Sequence, residues 1–313
     1  MSPNEKLLLL FSGVATLLFV ATLVGRFLAA RAQTDAAREV TRNLVERIDA
    51  WWVMIVIFAV CFLLGQGATL LLFALASFYT LREFVSLTET KPADNWPLIG
   101  AFYVMLPGQY ILIAMDWYGM FSILIPVYGF LLTPILAALA GDVDDFLLRV
   151  ARVQWALMLT VYCISHAPAL AMLAIPGFEN QGFLLLFFLL TVVQFSDVMQ
   201  YVFGKLFGRR KIAPRISPSK TLEGLVGGGA AATLLGAALF WITPFSPLQA
   251  GAMALAIVAM GFLGGLSLSA VKRSMGVKDW GRMVKGHGGV LDRMDSICFS
   301  APVFFHLTRY FFT

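Results

Sequence analysis

"GFLLLFFLLTVVQFSDVMQYVFGKLFGRRK", residues 182–211, decides the fold class. The apolar stretch 183–203 matches the roughly twenty residues that an α-helix needs to cross a bilayer. A soluble amphipathic helix would present charged residues along one face. Here a carboxylate interrupts the run only at Asp197, and the cations Lys205, Arg209, Arg210 and Lys211 wait until its end. Similar stretches lie at 7–25, 97–113, 119–140, 152–175, 223–243, 249–271 and 297–312. The 313-residue chain is 59% hydrophobic and only 13% charged, against about 25% charged in soluble domains, so most of its surface faces lipid. Transmembrane β-strands would alternate apolar and polar residues over about ten positions, and these runs do not. The chain reads as an all-α polytopic integral membrane protein with polar segments gathered at one side.

The run 51–81 is interrupted by "GQG" at 65–67. A tight hairpin turning at Gly65 and Gly67 gives ten membrane segments; one long tilted helix gives nine. The positive-inside rule favours ten. With the N-terminus outside, the loops 26–50, 82–96, 141–152, 204–222 and 272–296 lie inside and hold 21 of the 23 Lys and Arg, leaving Lys6 and Arg309 outside. The N-terminal apolar stretch is expected to stay as a first membrane helix, because its single Lys is offset by Glu5 and no convincing processing site follows. Residues 26–50, with Arg31, Arg38, Arg42 and Arg47 beside Glu39 and Glu46, read either as an amphipathic helix on the inner surface or, equally, as a solvated helical linker. Residues 1–96 thus form N-terminal membrane segments and 97–313 a membrane-embedded core. Cys61, Cys163 and Cys298 lie in or beside apolar runs without paired or metal-type spacing, and read as small hydrophobes. The acidic loop "GDVDD", 141–145, reads as solvated rather than metal-binding.

Two polar segments carry chemistry. In 194–229, Asp197 is a carboxylate at membrane depth, which is costly and marks a functional position by default. Lys205, Arg209, Arg210, Lys211, Arg215 and Lys220 follow within sixteen residues. "SPSKTLEG" then places Ser217, Ser219 and Thr221 hydroxyls around Lys220 and leads into a glycine-bearing helix start, equipment suited to phosphate. In 267–296, the cations Lys272, Arg273, Lys278, Arg282, Lys285 and Arg293 are interleaved with Asp279, Asp292 and Asp295. Asp292 and Asp295 are three apart, so on a helix their carboxylates point the same way. Carboxylates that hold Mg²⁺, among cations that cover the remaining charge, suit a polyphosphate substrate. His287 stands in "GHGG", where Gly286, Gly288 and Gly289 let the backbone approach a ligand closely. No Ser–His–Asp arrangement, zinc spacing or HExxH is present.

On these residues the chain resembles the CDP-diacylglycerol synthases (phosphatidate cytidylyltransferases). Ser269, Lys272, Arg273, Lys278, Asp279, Gly281, His287, Gly288, Gly289, Asp292, Arg293 and Asp295 fall on that family's signature. The upstream "FGKLFGRRKIAPRISPSKTLEGLVGG" and "LREF" (81–84) are similar to further family segments. Lys285 stands where the family usually has Pro or Gly, Val284 where it has a larger apolar residue, and Met199 and Gln200 where it has small ones.

The resemblance implies a cytidylyltransferase core in 97–313, in a bacterial-type inner (cytoplasmic) membrane with the active site facing the cytoplasm. It implies CTP and phosphatidate as substrates, CDP-diacylglycerol and pyrophosphate as products, membrane lipids around the chain, a homodimer, and no nucleic acid. It implies Mg²⁺, as one ion or two, held among Asp197, Asp279, Asp292 and Asp295, with Lys278 and His287 completing the catalytic set. Lys205, Lys211, Ser217, Lys220, Thr221, Lys272, Arg273, Gly288, Gly289 and Arg293 would bind substrate. The departures keep two alternatives open: a paralogue acting on a different lipid phosphate, and a non-catalytic lipid-binding or transport protein on the same scaffold. CDP-alcohol phosphotransfer is a further rival, but its DGx₂ARx₈Gx₃Dx₃D pattern is absent.

Overall fold

Long apolar runs punctuated by Gly, Pro and charge give long helices with short connections. The computed structural model describes residues 2–31, 33–281, 283 and 288–313. Among these described residues ten long helices follow one another: α1 (Pro3–Arg31), α2 (Asp35–Leu64), α3 (Gln66–Ser86), α4 (Pro92–Ala114), α5 (Tyr118–Leu139), α6 (Phe146–Met172), α7 (Gly182–Phe207), α8 (Leu222–Ala238), α9 (Pro247–Ser274) and α10 (Leu291–Phe312). Eight of them are long and apolar enough to cross a membrane. The other two are α8, which is shorter, and α10, which opens on Asp292, Arg293 and Asp295. The protein is an all-α polytopic membrane protein.

The hairpin reading of 51–81 holds, with the break at Gly65 alone. Gly65 takes φ +92°, in the left-handed region that favours glycine, while Gly67 lies inside α3. Phe58 and Phe73, on either side of the turn, meet with ring centroids 6.1 Å apart. Residues 26–50 do not form a separate element. They are divided between the end of α1 and the first half of α2, which runs on unbroken into the apolar run. Trp52 Nε1 donates to Thr22 Oγ1 at 3.0 Å, joining the two helices.

The acidic loop is not simply solvated. Arg149, buried on α6, donates to Asp94 Oδ1 at 2.8 Å and pairs with Asp142 Oδ2 at 3.0 Å, clipping the first turn of α4 and the α5–α6 connection to α6. Cys61 and Cys163 are half-buried, Cys298 is buried, and all three are free thiols.

Between α7 and α8 the polar segment folds as a small antiparallel hairpin, β1 (Lys211–Ala213) and β2 (Ser217–Thr221), with Lys211 opposite Thr221. Thr221 ends β2 and begins α8, its hydroxyl accepting from the Gly224 N–H at 3.1 Å. Helices α7, α8, α9 and α10 pack in sequence order around the polar site. The α7–α8 contact needs glycine: a Cβ on Gly228 would stand 2.3 Å from the Gln200 backbone nitrogen. Small residues allow this close backbone approach between membrane helices, and it seats the Gln200–Gly204 turn of α7 against the first two turns of α8, one turn from Asp197.

Candidate active site

Four elements bring their charges together: α7 supplies Asp197, β2 supplies Lys220, α9 supplies Lys272, and α10 supplies Asp292, Arg293 and Asp295. Ser296 Oγ stands between two carboxylates, 3.0 Å from Asp197 Oδ2 and 3.5 Å from Asp295 Oδ1. Both aspartates are within electrostatic reach of Lys220 and Arg293. Lys220 is half-buried, its ammonium 4.7 Å from the Phe262 ring centroid and donating to the Phe262 carbonyl at 3.3 Å. Burial pushes the Lys220 pKa below the usual lysine range, while Asp295 and Asp197 pull it back up. Gly265 of α9 leaves the room for this: a Cβ there would stand 2.9 Å from Lys220 Nζ.

Asp292 has a different environment. Its Oδ1 accepts from Lys272 Nζ at 2.7 Å, and its Oδ2 accepts the backbone N–H groups of Trp280 at 2.8 Å and Gly289 at 2.9 Å. The Lys272 and Asp292 side chains are 10% and 6% exposed, so this is a buried, fully engaged pair. Asp279 is exposed on the neighbouring loop, and a Cβ on Gly288 would lie 3.4 Å from Asp279 Cβ and 2.7 Å from Asp292 Oδ2. Gly288 itself takes φ +82°, which together with that crowding demands glycine.

The four carboxylates expected to share a metal are therefore divided. Asp197 and Asp295 meet across Ser296, whereas Asp292 is turned to Lys272 and the loop, with Asp279 beside it. Among the described residues no three His, Cys, Asp or Glu side chains converge. The Asp197–Asp295 pair nevertheless fits Mg²⁺, which is commonly held by one or two carboxylates and completes its shell with water and substrate phosphate. Asp292 already accepts three hydrogen bonds, one at Oδ1 and two at Oδ2, so of its roughly four lone-pair sites only one, on Oδ1, stays open to a ligand role.

The other expected residues lie around this centre. Thr221 acts on the backbone as the α8 cap, and Ser217 is half-buried at the start of β2. Arg273 donates to the Ile216 carbonyl at 3.3 Å and the Val277 carbonyl at 3.1 Å, tying the β-turn to the end of α9. Lys205, Lys211 and Lys278 are exposed at the rim. His287 and Lys285 lie outside the described residues.

Three contributors escaped the sequence reading. Ser296, next to a signature aspartate, had no signal of its own. Trp280 is fully buried and stacks on Phe84 at 5.1 Å. Glu83 of α3 accepts from the Val290 N–H and the Leu291 N–H, both at 2.8 Å; its "LREF" segment was legible, but not its partner.

Comparison with known proteins shows the family. The pattern described as "Cytidylyltransferase family" matches residues 45–311. The chain is 40% identical over 297 residues to "Uncharacterized protein YnbB" of Escherichia coli (strain K12), covering 94% of this chain and 95% of that protein. It is 30% identical over 249 residues to the phosphatidate cytidylyltransferase of Bacillus subtilis (strain 168), covering 78% of this chain and 89% of that enzyme. The phosphatidate cytidylyltransferase of Brucella abortus biovar 1 (strain 9-941) is 41% identical over 140 residues, which span 44% of this chain and 51% of that enzyme. A match over most of the chain, on residues that fold into one polar centre among membrane helices, makes this protein a nucleotidyltransferase enzyme belonging to the cytidylyltransferase family.

Proposed function

We propose that the protein transfers the cytidylyl group of CTP to the phosphate of phosphatidate, releasing pyrophosphate and forming CDP-diacylglycerol at the cytoplasmic boundary of an inner membrane. The observation that carries this reading is the meeting of Asp197 and Asp295 across Ser296, with Lys220 and Arg293 within electrostatic reach. A phosphate oxygen of phosphatidate attacks the α-phosphorus of CTP, and the bond from that phosphorus to the β-bridging oxygen breaks. The phosphate is already an anionic nucleophile, so the protein's work is positioning and charge stabilisation.

Mg²⁺ at Asp197 and Asp295 would neutralise phosphate oxygens and the departing pyrophosphate. Lys220 and Arg293 balance the charge of the carboxylates and the phosphates together. Lys272 is held by Asp292, so it presents its charge from a fixed place. Lys205, Lys211 and Lys278 at the rim draw the soluble nucleotide towards the centre. The lipid substrate reaches the same centre from the leaflet, which is why the site lies where apolar helices meet charged loops.

The test is incubation of purified protein in mixed micelles with CTP, phosphatidate and Mg²⁺, scoring both CDP-diacylglycerol and pyrophosphate. Both products, lost in Asp197→Asn, support the reading. Pyrophosphate released only with another lipid phosphate would replace phosphatidate as the acceptor. Lipid binding without pyrophosphate release from any acceptor would make the chain a non-catalytic relative.

A further inference from the structure

The start of α10 poses a problem that the transferring groups do not solve. A helix leaves its first N–H groups without intrahelical partners, and here the loop before it also presents backbone donors towards the site. Two carboxylates take them. Asp292 accepts from Trp280 and Gly289, and Glu83, reaching across from α3, accepts from Val290 through Oε1 and Leu291 through Oε2.

The surroundings of Glu83 are built to hold its carboxylate. A Cβ on Gly281 would lie 2.8 Å from Glu83 Oε1, and a Cβ on Gly289 would lie 2.5 Å from Glu83 Oε2. The next residue of α3, Phe84, is buried and stacks on Trp280 with the ring planes 20° apart. Glu83 lies more than two hundred residues before the helix it caps, in a part of the chain that carries none of the transferring groups.

We propose that Glu83 is a positioning residue of this site: by gripping the Val290 and Leu291 amides it sets the first turn of α10, and with it Asp292, Arg293 and Asp295, in register with Lys272 and Asp197. The carboxylate is negative at a helix N-terminus, where charge and hydrogen bonding act together. Without it the first turn of α10 frays, the Lys272–Asp292 pair loses its backing, and the reacting groups shift by fractions of an ångström. Misplacement on the order of 1 Å costs about 100-fold in turnover. This inference rests on the cytidylyl-transfer reading for its kinetic consequence, but not for its structural one.

The experiment uses full-length protein in detergent and two readouts, steady-state kinetics and site-resolved amide exchange. Glu83→Ala is expected to lower kcat by about 100-fold with little change in the KM for CTP, and to speed exchange at Val290 and Leu291 while the middle of α9 is unaffected. Glu83→Gln, which keeps the shape and one acceptor oxygen, is expected to fall between Glu83→Ala and wild type. Where Glu83→Ala does not fold, Gly281→Ala displaces the carboxylate from the other side and is expected to show the same two changes. Unchanged kcat despite faster exchange overturns the positioning role. So does unchanged exchange, and so does a loss of activity wholly accounted for by loss of folded protein. Wild-type protein that makes no CDP-diacylglycerol defeats the functional reading instead, while the exchange measurement still decides whether Glu83 holds α10.

Discussion

At the scale of single residues, the division between the carboxylates makes distinct predictions. If Asp197 acts in the transfer as proposed, Asp197→Asn, whose amide oxygen can still accept from Ser296, is expected to cut kcat on the order of 100-fold with a nearly unchanged melting temperature. Asp292→Ala should do both kinds of damage, because it strands the buried Lys272 ammonium and two backbone N–H groups. Breaking such a pair costs about 3–5 kcal/mol, read as a fall in melting temperature alongside lost turnover. Asp292→Ala with normal stability would contradict the assigned contacts. Lys220 gives a pH signature. Its pKa is lowered by burial, so the ammonium is present at low pH and is lost as pH rises through that lowered value. The alkaline limb of kcat/KM, which reports the free enzyme, should therefore lie below the value of a free lysine, about 10.4. Lys220→Arg, whose guanidinium stays charged, should move that limb upward.

Among elements, the decisive contact is α7 against α8. Asp197 reaches the centre because α7 can approach the Gly224–Gly228 face of α8 until backbone nearly meets backbone. Gly228→Ala inserts a methyl 2.3 Å from the Gln200 nitrogen, and backbone cannot rotate out of the way as a side chain can. Overpacking of this kind costs about 1–3 kcal/mol. Thermal melting in detergent should show the cost, and kcat should fall with it, since Asp197 lies one turn from Gln200. The β1–β2 hairpin works in the opposite direction: it has almost no core of its own, and it is held by the Glu223 carboxylate accepting from Arg209 and Arg210 and by Arg273 at its turn.

For the whole molecule, ten helices put the β-hairpin and the start of α10 on one side, and the α6–α7 connection on the other. In a variant with Cys61, Cys163 and Cys298 replaced, a membrane-impermeant maleimide should label Glu179→Cys in intact cells. It should label Ser219→Cys only after lysis; both residues are exposed. The reverse pattern would turn the molecule over and place the centre away from cytoplasmic CTP. The N-terminal helices are more than an anchor, because α3 holds the start of α10 through Glu83 and stacks on Trp280 through Phe84.

The sequence by itself determined the membrane class, the helix positions and the polar residues. Hydrophobicity, charge bias and glycine or proline breaks act within a few turns of chain. Even the Gly65 break was legible this way, since a glycine held at positive φ ends a helix whatever packs on it; of the ten membrane segments read from the charge bias, eight are helices long and apolar enough to span. Pairing was not legible. Asp292 and Asp295 share a helix face at three-residue spacing, yet that spacing still leaves an angle of roughly 60° between them, enough for two different neighbours. Tertiary packing turned Asp292 to Lys272 and the Trp280 and Gly289 amides, and Asp295 towards Ser296 and Asp197, 99 residues from Ser296 along the chain. The stretch 26–50 likewise looked like a separate amphipathic element until α1 packed along α2. Local pattern fixes what a segment is, but which carboxylate meets which cation depends on helices distant in sequence, and no local signal encodes their approach.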